Sequence, residues 1–320
     1  MRRLVLALLL LVLTAAPASA RQVDTGRQHH VGRQLDVGRY ASPNPGSVNV
    51  LWISAPRGLV VIDSGRTLSE AHKTVAAIRA TGRPVAAILI THAHPDHVGG
   101  LGVLHEAFPA APMYASAATA EEIRTDSKGF YALTRQIDGA DYPAVMTVPD
   151  HVIRPDQPLS VGGLRLETAE FGPGETEAET AFYVPSTRQL FPGDIVANHM
   201  TPALLEGHTC GWLTDLDRLH DRFPHAAKLY PGHGAPGPRR LIPQQTRYIN
   251  DFRAFVAPAA APSSPGGTTV TPEELATIKA EVEAKYPNYP NVASLPTLMD
   301  VNITAVAQEI ATEGACHPGT

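Results

Sequence analysis

The chain has 320 residues, with 26 Lys and Arg against 31 Asp and Glu, a formal charge of −5 and no run of basic residues. That balance excludes the basic face that a binder of nucleic acid or anionic membrane needs. Apolar residues make up 43% of the chain and include ample Val, Ile and Leu, so a packed core is within reach despite 29 Pro and 26 Gly.

Taken in chain order, Arg2 and Arg3 precede the unbroken apolar run Leu4 to Leu13, and Ala18-Ser19-Ala20 fits a small-residue cleavage site. Residues 1–20 therefore read as a secretory signal peptide cleaved after Ala20, which predicts a secreted or periplasmic protein. Cleavage removes two positive charges from −5 and leaves −7. No later stretch has the ~18 uninterrupted apolar residues of a membrane span, so no stable membrane insertion is expected afterwards. In an exported chain the two cysteines, Cys210 and Cys316, predict one disulfide tying the C-terminal tail back to the fold; two unrelated thiols are the alternative.

Residues 21 to about 45 are polar and Gly-rich, with weak alternation. Two strand-like runs follow, Val48 to Ile53 and Leu59 to Asp63, around a turn of Pro56, Arg57 and Gly58. Thr67 to Ala80 reads as an amphipathic helix stopped by Gly82. Val85 to Ile90 is a strand, Val98 to Phe108 a helix, Met113 to Ala115 a short strand and Ala117 to Arg124 a helix. Between Asp126 and Asp150 the pattern weakens, as in a flexible segment near a site. Strands resume at Leu164 to Thr168, Thr180 to Val184 and Gln189 to Phe191, and helices at Trp212 to Phe223 and Leu241 to Val256. A Pro/Ala/Gly linker spans 257–271, Pro272 opens a helix with Glu273 and Glu274 in its first turn, and Val301 to Thr312 reads as the last helix. The expected organisation is a main domain over 21–256, the linker, and a helical extension over 272–320. Strands alternating with helices mean α/β, and the paired N-terminal strands argue against a purely parallel sheet.

The chemistry concentrates in Thr91-His92-Ala93-His94-Pro95-Asp96-His97-Val98-Gly99-Gly100. Two imidazoles at i and i+2 point the same way only in extended backbone, so His92 and His94 can hold one ion from a loop leaving a strand. Asp96 and His97 then turn toward a second ion. Imidazole and carboxylate suit zinc and its first-row neighbours.

These ten residues resemble the signature of the metallo-β-lactamase superfamily. Three later segments appear in the order that the family pattern expects: Gly172-Pro173-Gly174-Glu175-Thr176, Phe191-Pro192-Gly193-Asp194 and Tyr230-Pro231-Gly232-His233-Gly234. The resemblance covers roughly residues 45 to 240 and implies a four-layer αβ/βα sandwich with metals at the sheet edges. It assigns His92 and His94 to a first metal and Asp96, His97 and His233 to a second, with Asp194 bridging and Asp63 as a carboxylate orienting a liganding imidazole. A turn Asp bonded to its own backbone is the other reading of Asp63. The implied cofactors are two divalent ions, zinc first, with manganese or iron as alternatives.

One position departs from the pattern. Where most of the family has His, this chain has Glu175, with Glu177 and Glu179 as alternatives; Glu there looks like the alkylsulfatase branch. Two divalent ions, three carboxylates and one hydroxide cancel to zero, against +1 with a His. A less positive site polarises its substrate less and shifts preference toward manganese or iron. Beyond the ligands, Asp96, His199 and His208 are the candidate catalytic residues, the two histidines standing between the last two ligands. The resemblance implies a hydrolase acting on a small-molecule lactone, ester or amide. Alkylsulfatase-like or β-lactamase-like hydrolysis, an iron-dependent redox enzyme and a non-catalytic metal-binding protein are the alternatives. Nucleic acid is not an expected partner, and oligomeric state is left open.

Overall fold

The computed structural model describes residues 35–260 and 269–316. The signal-peptide segment 1–20 and most of the linker, 261–268, lie outside the described residues. Among the described residues, twelve strands form two six-stranded sheets. The first takes its strands in sequence order: β1 (Val37–Tyr40), β2 (Val50–Ala55), β3 (Gly58–Ile62), β4 (Val85–Leu89), β5 (Met113–Ser116) and β6 (His151–Ile153). β1, β2 and β3 pair antiparallel, and β3 through β6 pair parallel. The second sheet comprises β7 (Leu159–Val161), β8 (Leu164–Phe171), β9 (Glu179–Val184), β10 (Gln189–Phe191), β11 (Lys228–Leu229) and β12 (Gly237–Pro238), also side by side in order. Only β10 and β11 pair parallel there, joined through a helix.

Period-2 alternation divides each strand between two cores. Along β2 and β3, Leu51, Ile53, Val60 and Ile62 meet Leu166, Phe182, Val184 and Phe191 of the second sheet, while Val50, Trp52, Leu59 and Val61 face the other way. That outer face of the first sheet is covered by α1 (Leu68–Ala80), α2 (Pro95–Val98), α3 (Leu101–Ala107), α4 (Ala117–Thr125) and α5 (Phe130–Asp138). The outer face of the second sheet is covered by α6 (Thr209–Arg222), α7 (Leu241–Ala260), α8 (Pro272–Lys285) and α9 (Leu298–Glu313). The result is the four-layer αβ/βα sandwich.

Several elements differ from the sequence expectation for local reasons. The helix expected over Val98 to Phe108 is broken at Gly99-Gly100, where the loop from Ser64 to Arg66 passes against the backbone. A Cβ on Gly99 would lie 1.9 Å from the Arg66 carbonyl oxygen, and one on Gly100 2.2 Å from that of Ser64. The segment 126–150, expected to be irregular, contains α5, whose Phe130, Leu133, Thr134 and Ile137 follow helical spacing too briefly to stand out from the sequence. α7 runs on to Ala260 through Pro258, four residues into the expected linker, because Ala259 and Ala260 are buried in the core. α8 begins with the capping box of Thr271 and Glu274.

The C-terminal helices do not stand apart. Ile278, Val282, Ile303 and Val306 join the core under α6 and α7. The loop after β10 is hydrogen-bonded to this extension: Thr201 N donates to Pro290 O at 2.8 Å, Val292 N to Thr201 O at 3.1 Å and Leu204 N to Asn302 Oδ1 at 2.8 Å. The expected disulfide joins Cys210, in the first turn of α6, to Cys316.

Candidate metal centre

Every ligand position named from the sequence falls at one end of the sandwich, at the C-terminal ends of strands or in the turns between them. β4 delivers Thr91, His92 and His94, and α2 carries Asp96 and His97. Glu175 sits in the turn between β8 and β9, Asp194 follows β10, and His233 follows β11. Gly232 admits this convergence, since a Cβ there would lie 2.0 Å from Asp194 Oδ1.

The ligand atoms form two adjoining groups. In the first, His94 Nδ1 is 3.1 Å from Glu175 Oε1, and His92 Nε2 is 3.5 Å from Glu175 Oε2. In the second, His233 Nε2 is 2.9 Å from Asp96 Oδ2, and His97 Nε2 is 3.9 Å from it. Asp194 Oδ2 lies 3.4 Å from His97 Nε2 and 3.2 Å from His233 Nε2. Asp194 also groups with His92 and His97 closely enough to share an ion, which is the place of a bridging carboxylate.

Do these residues fit metal ions? Buried polar atoms are normally hydrogen-bonded. Here His92 Nε2, His97 Nε2, Glu175 Oε2, Asp96 Oδ2 and Asp194 Oδ1 are buried without a hydrogen-bond partner, and all belong to residues of the adjoining groups. Protonation equilibria tell the same story. Burial, with His97 beside it, pushes His92 down to about 4 and keeps it neutral. For His233 burial acts downward too, but Asp194 and Asp96 outweigh it and lift the imidazole to about 10. Burial raises Asp96, yet His97 and His233 bring it down to about 2. The carboxylates thus draw protons onto neighbouring imidazoles, the positive charge that bound cations would supply instead. The donor set fits divalent ions.

The atoms behind the ligands are equally specific. Asp63 Oδ1 accepts from Thr91 N at 2.9 Å, and Oδ2 lies 3.0 Å from His97 Nδ1, so Asp63 orients a ligand rather than bonding its own turn. Thr91 Oγ1 is 3.0 Å from His92 Nδ1. Glu179, named as an alternative ligand, stands behind His92 instead: its Oε1 is 3.1 Å from His92 Nδ1 and accepts from Asp194 N at 2.6 Å. Burial and the nearby Asp194 carboxylate hold Glu179 well above the ordinary carboxylate range. Glu177, the other alternative, is exposed, 3.5 Å from Lys128 Nζ. Of the three, Glu175 alone groups with His92 and His94.

The two loop histidines part company. His199 does not line the ligand pocket. Its backbone is left-handed, its ring packs edge-on against Tyr289 at 5.3 Å, and it borders a separate small cavity with Tyr248 and Tyr286. His208 is half-exposed, with Nε2 3.4 Å from Glu177 Oε1, and it groups with Glu177 and with a residue that the sequence did not single out.

That residue is Glu206. Its Oε1 lies 3.0 Å from His94 Nε2 and its Oε2 accepts from Lys128. Burial raises this carboxyl, but the bond to His94 and the Lys128 ammonium bring it down to about 2. An ionised Glu206 holds the proton of His94 on Nε2 and turns Nδ1 toward Glu175. Glu206→Ala should weaken the affinity of the first ion by about 10- to 100-fold, with Glu206→Gln intermediate. Competition with a chromophoric chelator measures this, and unchanged affinity in both variants would refute it.

The pocket in front of these atoms has a volume of about 380 Å³. Arg66, His94, Asp96, Glu175, Asp194 and His233 stand on its lining, opposite apolar side chains from α5 and from the segment 292–301.

The profile of the Metallo-beta-lactamase superfamily matches residues 43–233, a span containing all of these candidate ligands. A probable metallo-hydrolase of Bacillus subtilis (strain 168) is 26% identical over 65% of this chain and 95% of its own length. A linear primary-alkylsulfatase of Pseudomonas sp. is 23% identical over 64% of this chain and 45% of its own length. Among solved structures, a metallo-beta-lactamase family protein from Thermus thermophilus superposes with a TM-score of 0.64 at 20% identity, over 88% of this chain and 94% of the other. With the fold, the ligand order and the profile in agreement, this chain belongs to the metallo-beta-lactamase superfamily.

Proposed function

We propose that this metal-dependent hydrolase is exported, binds two divalent cations, zinc first among them, and cleaves a small-molecule lactone, ester or amide. The observation that carries the reading is the pair of adjoining ligand groups, with Asp194 within reach of a histidine of each and buried atoms without hydrogen-bond partners among them. Bound cations would supply Lewis-acid polarisation of the scissile group and an acidified water.

The chain's own residues do the rest. His92, His94 and Glu175 would hold the first ion, Asp96, His97 and His233 the second, and Asp194 both. Asp63, Thr91 and Glu206 fix the imidazole orientations. The apolar lining of the pocket limits the water that competes with substrate. Support for export comes from the signal-like N-terminus and from the disulfide, which persists in oxidising compartments.

A second reading is sulfate-ester hydrolysis. It is favoured by Glu175 in the first ligand group and by the likeness to a linear primary-alkylsulfatase.

Metal analysis of the purified protein, then a panel of esters, lactones, β-lactams and sulfate esters, tests both. Two colourless ions per chain with turnover of a carbonyl substrate is the expected result; turnover confined to sulfate esters selects the second reading. Iron with a coloured protein would indicate redox chemistry, and a flat panel with full metal content a non-catalytic protein.

A further inference from the structure

Five large apolar side chains are at least 37% exposed among the described residues: Leu133, Ile137, Val145, Val152 and Val301. Three of them, Leu133, Ile137 and Val301, line the one pocket that also holds the ligand atoms. Leu133 and Ile137 lie on α5 one turn apart, on the stripe begun by Phe130, and Val301 is in the first turn of α9. Leu205, Val292 and Leu295 continue the apolar lining. Exposed apolar surface costs a soluble protein and, when it collects beside a reactive site, marks what that site receives.

We propose that the substrate carries a linear apolar chain, a fatty acyl or alkyl group, lying between α5 and the segment 292–301 while its hydrolysable head meets the ligand groups. This rests on the hydrolase reading and narrows it to amphiphiles. The apolar lining is continuous with the ligand atoms in a single pocket, so a chain seated there is joined directly to a head at His94 and Glu175. Arg66 serves the head. Its Nε donates to Asp138 Oδ2 at 2.6 Å, its Nη2 is buried without a partner, and the residue stands on the pocket lining beside Asp96 and Asp194.

The test is calorimetric binding of fatty carboxylates of about four to about twelve carbons to the metal-loaded protein. Affinity should rise by about fourfold per methylene and then level off. Leu133→Gln with Ile137→Gln, and separately Val301→Gln, should flatten that rise with metal content unchanged. Arg66→Lys should lower affinity by a similar factor at every length. A wild-type protein with no chain-length dependence overturns the proposal, as does an unchanged rise in both wall variants. So does a wild-type dimer that the α5 variant converts to a monomer without any length effect, since the patch would then be a contact between two copies. Parallel assays with esters, lactones and amides separate the two claims: length-dependent binding without turnover of any of them keeps the chain-binding pocket and removes the carbonyl-hydrolase reading.

Discussion

On the two-ion proposal, replacing Asp194 with asparagine should reduce the bound metal from two ions per chain to one or none and lower kcat/KM by about a thousandfold, about 4 kcal/mol of transition-state stabilisation. Asp194 is the carboxylate within reach of His97, His233 and, through the shared group, His92. An amide keeps the shape but loses the charge that both ions need. Two measurements check the expectation together. Elemental analysis reports the stoichiometry, and the difference in Tm between chelated and metal-loaded protein reports how much binding stabilises the fold. The wild type should gain clearly on metal loading and the variant little. The metal-free variant should also be less stable than metal-free wild type, because it leaves the buried His97 and His233 imidazoles without a carboxylate partner. Full metal content with undiminished turnover in Asp194→Asn would show that the ions do not depend on a bridge.

The second large effect concerns the disulfide. Cys210 and Cys316 close a loop over a sequence separation of 106 residues. A crosslink of that length stabilises by about 3–5 kcal/mol when native geometry is unstrained. Substituting both cysteines with serine should therefore lower Tm by about 10 °C. Reduction of the wild type should reproduce the shift. A change of less than about 2 °C would mean that the packing of α9 on α7 alone secures the C-terminal end.

The ligand set was legible because each member lies beside a strong local signal: an apolar strand before His92, Pro-Gly turns before Glu175, Asp194 and His233. Sequence order and strand ends together place such residues on one sheet edge. The choice of Glu175 over Glu177 and Glu179 was not legible, because β9 begins at Glu179 and only its pairing decides which carboxylate points where. Glu206 and Lys128 were missed for a different reason. Glu206 meets His94, and Lys128 meets Glu206, from loops far apart in sequence, and neither loop has a periodicity that fixes its path. His199 shows the converse error: nearness to Asp194 along the chain implied nearness in space, but the left-handed turn at His199 sends the ring toward Tyr289. α5 was lost between patterns because nine residues give too few turns for an apolar stripe to declare itself.

The start of α6 has a consequence for how the molecule is assembled. His208 provides no side-chain cap, so the first turn of this helix is satisfied from a distance: Cys210 N donates to Glu309 Oε1 at 2.9 Å and Thr209 Oγ1 to Glu309 Oε2 at 2.6 Å, with Arg253 Nη1 3.2 Å from that same carboxylate oxygen. The loop carrying Glu206 runs directly into this turn. Such a contact closes about a hundred residues of chain and forms late, since loop-closure entropy must be met before it is rewarded. A molecule with an undocked C-terminal helix would keep the strand-end histidines and lose the Glu309 contacts that fix the start of α6, where the Glu206 loop ends.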